Sequence, residues 1–247
     1  MPFVRILLIL LALASPALAQ DGARNTAAAK EAAQAFSLYV EGVAKKGGRP
    51  DLTRPEVAGL LNRIYDLDAL NALPPAQAND IAWMLDWIDA ANTASKLFTR
   101  FGSKPGPQPD MDALQRNFTE YEDQYAAATS FMIRGQAREA VVMKLFWASL
   151  PPEKRTRIRE EGFLKARKGM AEYVLTAICS AVESGKPANA RLVAAAIRDT
   201  GEVWAEAFLP EDRVQVIAQL ADLSRTVRDE MARTDVAAFR SALKAAN

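Results

Sequence analysis

The sequence predicts an all-α protein, and three observations carry that expectation. Apolar residues recur at helical spacing along almost the whole chain, with no stretch of the strict alternation that marks a half-buried strand. Ala, Leu, Glu, Lys, Arg and Gln dominate, and all are good helix formers. Prolines punctuate the periodic stretches, as they do where one helix must stop and the next begin. At 247 residues the chain has the length of one domain or at most two. The expectation is a single irregular helical bundle of seven to eight helices after a cleaved signal peptide.

Residues 1–19 carry that signal. Met1 to Arg5 is short and positive, Ile6 to Ala14 is uninterrupted apolar chain, Ser15-Pro16 breaks it, and Ala17-Leu18-Ala19 is a small-x-small cleavage site. The apolar run is shorter than the roughly 20 residues that span a bilayer, and no later segment is apolar enough for a transmembrane helix. The expected product begins at Gln20 and is soluble and exported, periplasmic or secreted. Removing Arg5 takes the formal net charge from +1 to zero.

The first helix is expected over 25–46, ending at Gly47-Gly48 as a C-cap. Thr53 as N-cap and Pro55 in the first turn start a second, to about Tyr65. Leu73-Pro74-Pro75 opens a third, to about Phe101. The loop 103–109, with three prolines, is a candidate internal boundary within the 20–247 helical domain. Asp110 caps a long helix to about Leu150, bent at Gly135. Leu150-Pro151-Pro152 opens the next, to about Ser184. Another runs from Ala188 to Phe208, and Leu209-Pro210 opens one to about Ala232. Thr234-Asp235 caps a short terminal helix. In the third helix the tryptophans Trp83 and Trp87 lie on an apolar face and are expected in the core, as are Tyr121 and Tyr125.

Composition excludes much familiar chemistry. The chain has no histidine and one cysteine. Histidine is the commonest general base and metal ligand, so Ser-His-Asp triads, H-E-x-x-H zinc sites and Glu-x-x-His di-iron bundles are ruled out. No cofactor and no metal are expected. Cys179, in an apolar helical stretch, reads as a small buried hydrophobe. A near-neutral balance of 31 Lys+Arg against 30 Asp+Glu argues against nucleic acid as a partner. Asp66-Leu67-Asp68 begins like a calcium loop but lacks its glycine and its closing glutamate. Ser241-x-x-Lys244 lacks the companion motifs of a serine acyl-enzyme.

Ala181-Val182-Glu183-Ser184-Gly185 resembles the E-S-G segment of the lytic transglycosylases, in which a glutamate at a helix end acts as general acid on peptidoglycan. The resemblance covers five residues. The Gly-Leu-Met-Gln-type segment that follows in that family is absent, because the chain continues Lys186-Pro187-Ala188-Asn189. No family is assigned on it.

Charge is unevenly spread. Asp66 to Asp89 holds five acids and no Lys or Arg, whereas Lys144 to Lys168 holds eight basic residues against three glutamates. These −5 and +5 segments are expected to face each other, within one chain or across a dimer. Lys154, Arg157, Lys165 and Lys168, with Glu161 among them, form one stripe, which reads as a solvated face or, alternatively, as a basic patch for an anionic partner. Asp86 and Asp89, together with Glu120 and Asp123, are the candidates for a carboxylate site if the third and fourth helices are antiparallel neighbours.

The function these features favour is a non-catalytic exported binding or accessory protein, with a protein partner or self-association. The alternatives are a carboxylate-dependent hydrolase or lyase of cell-wall glycan, and a carrier of a small apolar ligand inside the bundle.

Overall fold

The computed structural model describes the backbone of residues 3–246 apart from 105, 107, 183 and 184, and side chains from residue 21 onward apart from 105, 107, 180–184 and 247. The described residues are all-helical, without strands. The elements are α1 (Phe3–Lys45), α2 (Pro55–Ile64), α3 (Leu67–Asn71), α4 (Ile81–Thr99), α5 (Met111–Glu120), α6 (Glu122–Ser149), α7 (Arg157–Val182), α8 (Pro187–Asp199), α9 (Gly201–Ala207), α10 (Pro210–Thr226) and α11 (Glu230–Ala245). Single 3-10 turns at Ala78–Asp80 and Pro152–Lys154 precede α4 and α7.

Local chemistry explains most of the boundaries. Gly47 takes φ +68° and the Gly48 N–H returns to the Val43 carbonyl at 3.1 Å, closing α1 as expected. Prolines occupy the first turns of α2, α8 and α10, where their missing N–H costs nothing. Asp110 caps α5 by accepting from the Ala113 N–H at 3.0 Å.

The eleven described α-helices exceed the seven to eight expected, because several long helices are divided. Leu73-Pro74-Pro75 does not itself open a helix. Asp66 caps α3 through the Ala69 N–H at 2.8 Å, and α4 starts only after the 3-10 turn, where Asp80 accepts from the Gln77 N–H at 2.9 Å. Thr53 does not cap α2. Its hydroxyl donates to Asp51 Oδ1 at 2.7 Å, and Arg54 takes the cap position. The helix expected from 110 to 150 divides at Tyr121 and runs unbroken through Gly135. Tyr121 is buried and its hydroxyl donates to the Pro50 carbonyl at 3.0 Å, so a long-range anchor turns the chain there. Gly135 instead allows close approach, since a Cβ at that position would lie 2.5 Å from Ile88 Cδ1 on α4. Thr200 separates α8 from α9. Finally α10 ends at Thr226, and Asp229 caps α11 through the Ala232 N–H at 3.0 Å. Thr234 lies within α11.

Two hydrophobic clusters lie on either side of α6. One is built by α1, α2 and α4 and takes Ala128, Phe131 and Met132 from α6. The other joins α7, α8, α9, α10 and α11 and takes Ala126, Ile133 and Ala137 from the same helix. Helix α4 is internal, with Met84, Trp87, Ala91, Ala94 and Phe98 all fully buried, as its two apolar faces require. The division between clusters follows α6 and not the 103–109 loop. Residues on both sides of that loop, Phe98 and Tyr121 among them, belong to one cluster and pack edge-to-face with centroids 6.0 Å apart. Buried Asn117 fastens the same corner, donating to the Thr99 and Phe101 carbonyls at 2.9 and 2.8 Å while accepting from Arg49 at 2.8 Å.

Candidate functional site

A cleft of about 470 Å³ opens where α6, α7 and α9 meet. Helix α6 contributes Ala140, Met143 and Trp147 to its wall, α7 contributes Phe163 and Met170, and α9 contributes Val203 and Ala207. Trp147 and Phe163 stack with centroids 5.3 Å apart and planes 17° from parallel, tying the two long helices across the cleft. Arg167 lies over the Phe163 ring, 5.9 Å from its centroid. Its guanidinium donates to the Ala207 and Phe208 carbonyls at 2.6 and 3.1 Å, which satisfies the C-terminal end of α9. At the rim Lys144 bonds Glu206 at 2.7 Å. That bond holds the Glu206 carboxyl below its ordinary range, so it is ionised at neutral pH. The cleft therefore combines an apolar wall with a rim at which Lys144, Glu206 and Arg167 are engaged and Glu202 is also present.

The four sequence-predicted carboxylates sit apart from this cleft, and three of them have separate partners. Asp86 pairs with Lys30 of α1 at 2.7 Å. Asp89 is exposed on α4. Glu120 pairs with Arg49. Asp123 accepts from Lys186 at 2.8 Å and from Asn189 at 2.9 Å at the start of α8, and Lys186 first among these holds its carboxyl below the ordinary range. Among the described residues no group of three or more His, Cys, Asp or Glu is placed to hold a metal ion.

The basic residues lie on a projecting hairpin made by the end of α6 and the start of α7. No described side chain between Val142 and Met170 is buried. Arg157, Lys165 and Lys168 are exposed on α7, and Arg157 faces Glu161 at 3.6 Å. Lys154 belongs to the preceding 3-10 turn, so the stripe is not one continuous helix face. Arg155 closes the turn by donating to the Ala148 and Leu150 carbonyls, each at 2.9 Å. Four large apolar side chains are exposed on the same hairpin: Leu145, Phe146, Ile158 and Leu164, with Ile158 at 78%. Among the described residues no ion pair joins this segment to residues 66–89. Several acids of the latter are engaged elsewhere: Asp66 caps α3, Asp80 bonds the Gln77 N–H and the Trp83 indole, and Asp86 holds Lys30.

The cleft residues Met143, Trp147, Phe163 and Arg167 were not among those expected to form a site. The available signal was the i, i+4 spacing of Met143 and Trp147 beside Ala140, on a stretch of α6 that leaves the core. Cys179 is half-buried. Glu183 and Ser184 lie outside the described residues, as do the side chains of the expected cleavage site at 17–19. Among the described residues no helix is long and apolar enough to cross a membrane. Comparison with known proteins finds no protein-family model, no curated protein and no solved structure that matches this chain.

Proposed function

We propose that this chain is an exported, non-catalytic binding protein whose α6–α7–α9 cleft holds a small amphipathic ligand. The observation that carries the reading is the wall of the cleft. It is apolar, contains a stacked Trp–Phe pair, and has the dimensions typical of small-molecule sites. A glycan hydrolase would need a carboxyl with a raised pKa to act as general acid. Glu206 at the rim is shifted the opposite way. The layout of residues 1–19 supports export, and their removal would leave in place the α1 contacts made from Gly22 and Thr26 onward.

The amphipathic dye 8-anilinonaphthalene-1-sulfonate tests the reading. Its ~21 non-hydrogen atoms at about 0.3 kcal/mol each correspond to a Kd of tens of micromolar. The expected result is saturable 1:1 binding with that affinity, weakened at least about tenfold by Ala140→Phe, which fills the cleft. Undiminished binding to the filled variant contradicts the assignment.

The exposed hairpin supports a second reading, docking on an anionic lipid surface. Cations interleaved with Ile158 and Leu164 on a convex tip suit the interface of such a bilayer. Each basic residue near an anionic surface contributes about 1 kcal/mol. Replacing Lys154, Lys165 and Lys168 together by serine should therefore weaken co-sedimentation with phosphatidylglycerol vesicles by roughly a hundredfold. Equal sedimentation of the variant, or equal binding to neutral phosphatidylcholine vesicles, would exclude it.

A further inference from the structure

We infer that the hollow beside the cleft is a carboxylate-binding site, so that the ligand is an amphipathic acid with its apolar body in the cleft and its head on Arg134 and Arg138. The inference rests on the cleft being a ligand site and adds the chemistry of the head group.

The hollow has a volume of about 440 Å³, and Val141 and Val203 line it and the cleft alike, so the two are contiguous. Arg134 and Arg138 stand one turn apart on α6 and both line the hollow. Arg138 donates to the Pro74 carbonyl, but its Nε is buried with no acceptor. Among the described residues it has no ion pair, and only Asp80 acts on it through space; its burial disfavours the charged form. Arg134 bonds Asp199 at 2.8 Å, yet its Nη1 is also buried with no acceptor. Asp199 is shared with Arg198, which divides its charge between two guanidiniums.

Buried donors are rarely left without acceptors in folded proteins, and a buried cation without a counterion is costly. Arginine does not escape that cost by deprotonating. A water in the hollow gives Arg138 no counterion, whereas an anion does. Arg198 also holds Asp235 at 2.7 Å, so of the three guanidiniums around Asp199 it is Arg138 that has no ion pair among the described residues, and a guanidinium binds a carboxylate group through parallel N–H donors.

Calorimetric titration of the full chain with decanoate and with decanol separates the head group from the tail. The expected result is that decanoate binds about tenfold or more tightly than decanol. Arg138→Met, which keeps the apolar stem, should abolish that preference and leave decanol binding unchanged. Equal affinity of the wild type for both probes overturns the head-group assignment while leaving the cleft as a ligand site. A preference that survives Arg138→Met overturns it as well. If neither probe binds, the cleft reading falls and this inference with it.

Discussion

Replacement of Trp87 by alanine is expected to lower the unfolding free energy by about 4 kcal/mol, a large share of the roughly 5–15 kcal/mol of an ordinary domain. Trp87 is fully buried at the centre of the α1–α2–α4 cluster. Its ring lies 5.5 Å from that of Phe131, through which α6 closes the cluster, and its indole N–H donates to the Ile64 carbonyl at 3.0 Å. Truncation removes the largest side chain there, leaves a cavity that rigid neighbours cannot fill, and strands a carbonyl at the end of α2. Trp204 in the other cluster is equally buried, but among the described residues its indole nitrogen has no acceptor. Phenylalanine should therefore be tolerated at 204 at a cost within about 1 kcal/mol, and cost about 2 kcal/mol at 87, where a made hydrogen bond is lost. Urea denaturation checks both, as a fall in midpoint at constant slope. Equal costs for the two phenylalanine variants would contradict the different roles given to the two indoles.

The second large effect is one of pH. Glu139 lies on the buried side of α6, 7% exposed, and among the described residues no cation or donor is bound to its carboxyl. Burial alone pushes its pKa up from 4.5 to about 7. A carboxyl with a raised pKa in the folded state holds its proton where the unfolded chain has released it. Its full contribution to stability is present below pH 4.5 and is lost as pH rises through 7. The shift corresponds to about 3 kcal/mol. Glu139→Gln should therefore be about 3 kcal/mol more stable than wild type at pH 8 and equal to it near pH 4. Asp229 acts in the opposite sense. Arg191 and the Ala232 N–H lower its pKa to about 2, so its contribution is present above pH 3.8 and fades below it. Unfolding free energies of the two proteins measured from pH 4 to 8 check the prediction. A difference that does not grow with pH would mean that Glu139 finds a partner or water.

Helix boundaries written in short-range chemistry were legible in the sequence. Pro55 and Pro210 start helices because their fixed φ suits a first turn, Gly47 ends one, and Asp110 caps one through a bond to a neighbour three residues away. The boundaries at Tyr121 and Thr200 were not legible. Tyr121 turns the chain because its hydroxyl reaches Pro50, a partner far away in sequence. Gly135 read as a bend because glycine weakens helices. In the fold it is a contact, and only the neighbouring helix α4 reveals that. The site follows the same rule. The basic character of residues 144–168 is plain in the composition, and the hairpin presents it outward. The cleft needs α6, α7 and α9 brought together, and no run of sequence holds Trp147, Phe163 and Val203. Three of the acids expected to converge, Asp86, Glu120 and Asp123, are instead paired with Lys30, Arg49 and Lys186, each at a different helix junction.

If the α6–α7–α9 cleft is where this protein holds its ligand, the residues of its wall must respond to one. Amide and indole chemical-shift changes during titration of the ¹⁵N-labelled chain with 8-anilinonaphthalene-1-sulfonate test it at the level of residues. Saturating changes are expected, largest at Ala140, Met143, the Trp147 indole, Phe163, Arg167 and Val203. Changes centred on any other surface, or none at dye concentrations several times the expected Kd, would contradict it.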